Sequence, residues 1–107
     1  MSYPVFLTLE AEKDLLDLHA FVAAHDSPAK ADALLTRLED MGAELARLPD
    51  RGHVPPELKR IGVTSYRAVH CKPYRVIYGI AGKQVHVHAV LDGRRDLQSL
   101  LERRLLR

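Results

Sequence analysis

Apolar residues change their spacing several times along this chain, and each change predicts an element. Tyr3 to Leu9, YPVFLTL, is a short run of β-forming residues and predicts a strand that ends at Thr8 or Leu9. From Ala11 the spacing becomes helical. Ala11, Leu15, Leu18 and Val22 share one stripe, Glu12, Lys13, Asp14 and Asp17 fill the opposite face, and Thr8 is placed to cap the first turn. This helix fades near His25 and Asp26.

Ser27-Pro28 starts a second helix, because a serine caps well and proline at the first helical position loses no needed hydrogen bond. Its stripe runs through Ala31, Leu34, Leu35, Leu38, Met41, Leu45 and Leu48 and stops at Pro49. The tight link predicts an antiparallel hairpin that serves as scaffold, with an acidic outer face. Asp50 to Ser65, with Pro55-Pro56, Gly52 and Gly62, reads as a loop holding at most one helical turn or a short strand. Loops of this length are often functional, and this one carries Arg51, Lys59 and Arg60.

Three strands follow, Tyr66 to Cys71, Tyr74 to Ile80 and Gln84 to Leu91. The turns at Lys72-Pro73 and Ala81-Gly82-Lys83 are short enough for an antiparallel meander. In the last strand Val85, Val87, Ala89 and Leu91 alternate with Gln84, His86, His88 and Val90, which predicts one face on the helices and one face in water. Behind Asp96 as cap, Leu97, Leu100, Leu101 and Leu105 return to helical spacing, and Arg103, Arg104 and Arg107 sit where the helix dipole favours cations. The fold class is α+β, in one domain spanning residues 1–107.

Composition narrows the function. The first 50 residues carry a net charge of −6 and the remaining 57 carry +8, so any anion-attracting surface is local to the second half. Cys71 is the sole cysteine, which excludes an internal disulfide and a multi-cysteine metal site. No apolar stretch approaches the roughly 20 residues of a membrane span, and the N-terminus lacks a secretory layout; a soluble, cytoplasmic protein is expected.

Candidate chemistry concentrates in the strands. His86 and His88 share a face, with His70 on a neighbouring strand, yet they lack the spacing of a metal site. Neither a metal nor a cofactor is expected. Cleavage of RNA by its own 2′-hydroxyl needs a base, an acid and cations; a histidine with Arg67, Arg75, Lys72, Arg94 and Arg95 contains those ingredients. Ser65 and Ser99 have no glycine elbow, and Cys71 reads as a buried, inert thiol.

The order of strand, helix hairpin, basic loop, meander and VLDGRRDL (Val90 to Leu97) resembles the ParE and RelE superfamily of toxins from bacterial type II toxin–antitoxin pairs. The resemblance rests on EAEKDLLDLHAFV (Glu10 to Val22), the leucine-striped second helix, YRVIYGI (Tyr74 to Ile80) and VHAVLDGRRDLQSLL (Val87 to Leu101). It implies a RelE/ParE-like fold and a cognate antitoxin partner in a toxin–antitoxin hetero-oligomer. An acidic, partly disordered antitoxin segment would add a strand to the sheet edge or lay a helix on the hairpin.

The family divides into two activities. RelE-like members cut mRNA on the ribosome, whereas ParE-like members act on DNA gyrase without hydrolysis; the Gly93-Arg94-Arg95-Asp96 ending resembles the latter. On that resemblance Arg67, Arg75, Arg94 and Arg95 form the target-binding surface, gathered on the wet face of the sheet. The alternative is a nuclease using His70, His86 or His88 with Arg67 and Arg75, and a third reading is a non-toxic antitoxin binder. Two departures count against a nuclease: Asp92 stands where the family commonly has histidine, and a helix occupies the place of a terminal catalytic tyrosine or histidine.

Overall fold

The computed structural model describes residues 2–106. Its elements are β1 (Val5–Leu7), α1 (Leu9–His25), α2 (Pro28–Arg47), α3 (Pro56–Lys59), β2 (Tyr66–Cys71), β3 (Tyr74–Ala81), β4 (Gln84–Asp92) and α4 (Leu97–Leu105), with a 3-10 turn at Pro49–Arg51. The expected caps are in place. Thr8 accepts from the Ala11 N–H, Ser27 from Lys30 and Asp96 from Gln98, each satisfying a donor that the first helical turn leaves open. Arg107 lies outside the described residues.

The sheet order is β1-β4-β3-β2. β2, β3 and β4 form the antiparallel meander, and β1 joins β4 in parallel, which requires the hairpin to cross over one face. The first strand is shorter than its apolar run predicts. The Tyr3 N–H bonds the Ala46 carbonyl of α2, and Thr8 turns aside to cap α1, so only three residues are left to pair.

Two cores form, one on each face. Ala11 and Leu45 of the hairpin pack on Val69, Val76, Tyr78, Val85, Val87 and Val90. On the other face Leu58 of α3 and Leu97 and Leu101 of α4 cover Ala68, Ile77, Ala89 and Leu91. The expected wet face is therefore dry over half its length, because the loop and C-terminal helices fold across it.

A bulge corrects the predicted alternation of β4. Ile77 faces Ala89 while Tyr78 faces Val87, leaving His88 without a partner across β3. The extra residue inverts the order. Val85 and Val87 point to the hairpin, whereas Ala89 and Leu91 point to α4 and Val90 takes the hairpin side.

Beyond β1 the edge of β4 is finished by side chains. The Val90 N–H donates to Asp14 Oδ2 at 3.0 Å, and the His88 carbonyl accepts from Arg104 Nη2 at 2.9 Å. Arg104 in turn binds Asp14 through both terminal nitrogens, at 3.2 and 2.9 Å, and ion-pairs with Glu10. One guanidinium thus ties α4 to α1 and β4. The sequence reading placed Asp14 on the outer face of α1 and Arg104 at a helix end; both are half-buried structural partners.

Candidate functional site

The site that the sequence singles out begins where β4 ends. The Gly93 N–H donates to the Pro73 carbonyl at 2.8 Å, and a Cβ at Gly93 would lie 3.0 Å from that oxygen and 3.2 Å from the stem of Arg75. A side chain here would need the Pro73 carbonyl and the Arg75 stem to give by a few tenths of an ångström. The turn projects Arg94 and Arg95 into solvent. Arg94 folds back on Asp92, with Nε at 3.0 Å from Oδ1 and Nη2 at 2.7 Å from Oδ2, and its backbone N–H adds a third bond at 2.9 Å. This fork holds the Asp92 carboxyl below its ordinary range. Arg95 makes no ion pair among the described residues and lines a cleft of about 350 Å³ with Asp17, Phe21 and Tyr74.

Arg67, Arg75 and Arg94 do not meet on one exposed surface. Arg67 sits opposite Tyr78 and shares its face, the hairpin side, where Nη1 donates to the carbonyls of Gly52 at 2.6 Å and Asp50 at 3.3 Å. Arg75 points to the other face, since successive strand residues alternate. It is 7% exposed and forms a bidentate pair with Glu57 of α3, at 2.8 and 3.0 Å. Its buried Nε has no partner among the described residues. The pair with Arg75 holds the Glu57 carboxyl low. Arg75 is thus spent on a fold contact, and Arg67 largely so.

The histidines also separate. His70 lies on β2, which β3 divides from β4, so it is no neighbour of His86 and His88. It stacks on His53 at 5.6 Å instead, beside Arg75 and Lys72. Its pKa is lowered, first by the surface packed on it and then by those cations. Among the described residues no group of three histidine, cysteine or carboxylate side chains could hold a metal. His88, in the bulge, meets Tyr66 edge to face at 5.3 Å and is pushed down by burial, then by His86 and Arg104.

A pH dependence follows from these two rings. Their folded pKa values lie below the ordinary 6.5, so as pH falls through that value the unfolded chain takes up protons that the folded one refuses. Stability should be flat above about pH 7 and fall toward pH 5. Thermal melts across that window check this, and His88→Gln should flatten the lower limb.

Sequence reasoning passed over Glu57, Asp14 and Arg104. For Asp14 a signal existed: it lies three residues after Ala11, the one fully buried position of α1, on the border of the packed face. Glu57 gave none, because its partner is 18 residues away across a proline turn.

Known proteins share this architecture. A structure of the chromosomal ParDE toxin–antitoxin system of P. aeruginosa superposes with a TM-score of 0.67 at 16% identity, covering 83% of this chain and 94% of that one. The RelBE2 toxin–antitoxin complex of Mycobacterium tuberculosis gives a TM-score of 0.60 at 24% identity, covering 86% and 92%. At these identities the likeness shows the fold. No curated protein matches the sequence. The sequence itself carries the family signature, for residues 5–97 match the ParE toxin of the type II toxin–antitoxin system parDE. The chain belongs to the ParE toxin family of type II toxin–antitoxin systems.

Proposed function

We propose that this toxin is neutralised by a cognate antitoxin in the cytoplasm and, when free, inhibits DNA gyrase through the Arg94–Arg95 turn. The observation that carries the reading is the family match over residues 5–97, which ends on the segment where the two arginines stand out from the fold. Arg75 and Arg67 are held by Glu57 and by backbone carbonyls, so the turn is the most accessible of the proposed contacts.

An antitoxin segment has a place to add. β1 is an edge strand, and pairing with β4 uses alternate backbone groups, leaving those of Val5 and Leu7 directed outward. The Val5 and Leu7 side chains enter an apolar cleft of about 140 Å³ with Leu38, Met41 and Leu45 of α2. A strand with alternating apolar residues fits both features. Among the described residues no helix is long and apolar enough to cross a membrane.

The test is a supercoiling assay with purified toxin, paired with growth after induction. Arg94→Ala plus Arg95→Ala should abolish inhibition and toxicity with little loss of stability, because both side chains are exposed. Unchanged toxicity in that double variant, or supercoiling untouched by the wild type, sinks the reading. Asp92→Asn should strengthen inhibition several-fold by releasing Arg94. A second reading, cleavage of mRNA on the ribosome, draws on His70 standing beside Arg75 and His53. Mapping transcript ends after induction separates the two, since cuts at codon boundaries that disappear in His70→Ala belong to a nuclease alone.

A further inference from the structure

The register of all four strands places one line of residues across the outer face of the sheet. Phe6 of β1 pairs with His86 of β4, His86 with Gly79 of β3, and Gly79 with Tyr66 of β2. Gly79 brings no side chain, and His88 fills the space above it; a Cβ there would sit 3.5 Å from His88 Nε2. The result is two ring pairs set along one line. Phe6 stacks on His86 at 5.5 Å, and His88 meets Tyr66 edge to face at 5.3 Å. This row lies at the opposite end of the sheet from the Arg94–Arg95 turn, since His86 pairs near the start of β4 and Asp92 at its end.

Neither core uses Phe6 or His86. Phe6 is 44% exposed, and its outer face ends the stack at the sheet edge. Beside the rings runs a groove of about 260 Å³ whose walls include Ser65 and Ala81 and, among the described residues, no carboxylate. Lys83 stands exposed at the β3–β4 turn, just past the Ala81–Gln84 pair at this end of the sheet. A planar, apolar-faced ligand with an anionic backbone fits this combination.

We propose that this row is a binding site for unpaired bases of single-stranded DNA. Bases stack on protein rings through their π-faces, which a duplex keeps covered, while a lysine beside them attracts the phosphates. The Ala81 methyl, on the same face as Gly79 and His86, offers an apolar contact that suits thymine. The site does not depend on the gyrase reading and asks nothing of Arg94 or Arg95.

The experiment is a fluorescence-anisotropy titration of the full chain with a labelled oligothymidine of about 12 nucleotides, within the roughly 4–16 that a small single-strand site covers. Oligouridine and a duplex of the same length are the comparison probes. Oligothymidine should bind more tightly than either. Phe6→Ala and His86→Ala should each weaken it about tenfold without changing the salt dependence, whereas Lys83→Ala should lower the salt dependence. Circular dichroism of each variant establishes that the fold is intact, and ring proton shifts of His86 on titration give a readout independent of substitution. Equal binding of duplex, tighter binding of oligouridine, indifference to Phe6 and His86, or no binding at all overturns the proposal.

Discussion

Arg104→Ala is expected to destabilise the protein by about 2–4 kcal/mol, at the lower side of what breaking a buried pair costs because some solvent reaches the site. The side chains of Arg104 and Asp14 are 15% and 16% exposed. Removing the guanidinium leaves a half-buried carboxylate with only the Val90 N–H, and it leaves the His88 carbonyl without its donor from α4. Two elements loosen together, because α4 loses its tie to α1 at the point where β1 has already ended. Urea denaturation measures the loss. A double cycle with Asp14→Asn is the sharper form: the two changes should be strongly non-additive, since each removes the same contact. Additive losses, or an Arg104→Ala protein as stable as the parent, contradict this account.

Gly52→Ala should cost about 3 kcal/mol, combining overpacking with the weakening of a buried hydrogen bond. The reason is contact and not backbone conformation, for φ at Gly52 is −76°. An added Cβ would stand 2.6 Å from the Ala68 carbonyl oxygen and 2.7 Å from the Tyr78 hydroxyl. Neither can step aside cheaply. The Ala68 carbonyl takes the His53 N–H at 3.2 Å, and the fully buried Tyr78 hydroxyl accepts from Gly52 N–H at 2.9 Å and donates to the Pro49 carbonyl at 2.7 Å. Tyr78→Phe should lose less, about 1–3 kcal/mol, as it removes the hydroxyl without forcing atoms together. Thermal melts of both variants check the order; a Gly52→Ala protein as stable as the parent disproves the packing argument.

These two sites show where a linear reading stops. Gly52 reads as an ordinary loop glycine, and only the approach of β2 and Tyr78 makes it irreplaceable. Asp14 reads as one more charge on an exposed helical face, and only the shortness of β1 brings the Val90 N–H to it. The candidate arginines divide on the same ground. That Arg94 and Arg95 follow a glycine at a strand end was legible, and so was their exposure. Whether Arg67 and Arg75 stood with them depended on strand parity and on α3, whose Glu57 draws Arg75 into the outer core.

The sequence by itself determined the elements, their caps and the meander, because periodicity, proline and capping residues act over a few neighbouring positions. It determined the family as well, since the pattern of those elements continues into the Gly93-Arg94-Arg95-Asp96 turn. Tertiary structure alone decided that β1 runs parallel beside β4, that a bulge at His88 exchanges the two faces, and that α3 and α4 dry half of the outer one. Each of those outcomes is a choice between packings of equal local merit. It is settled by which apolar surfaces bury one another and which buried polar groups find partners, and both are properties of residues far apart in the chain.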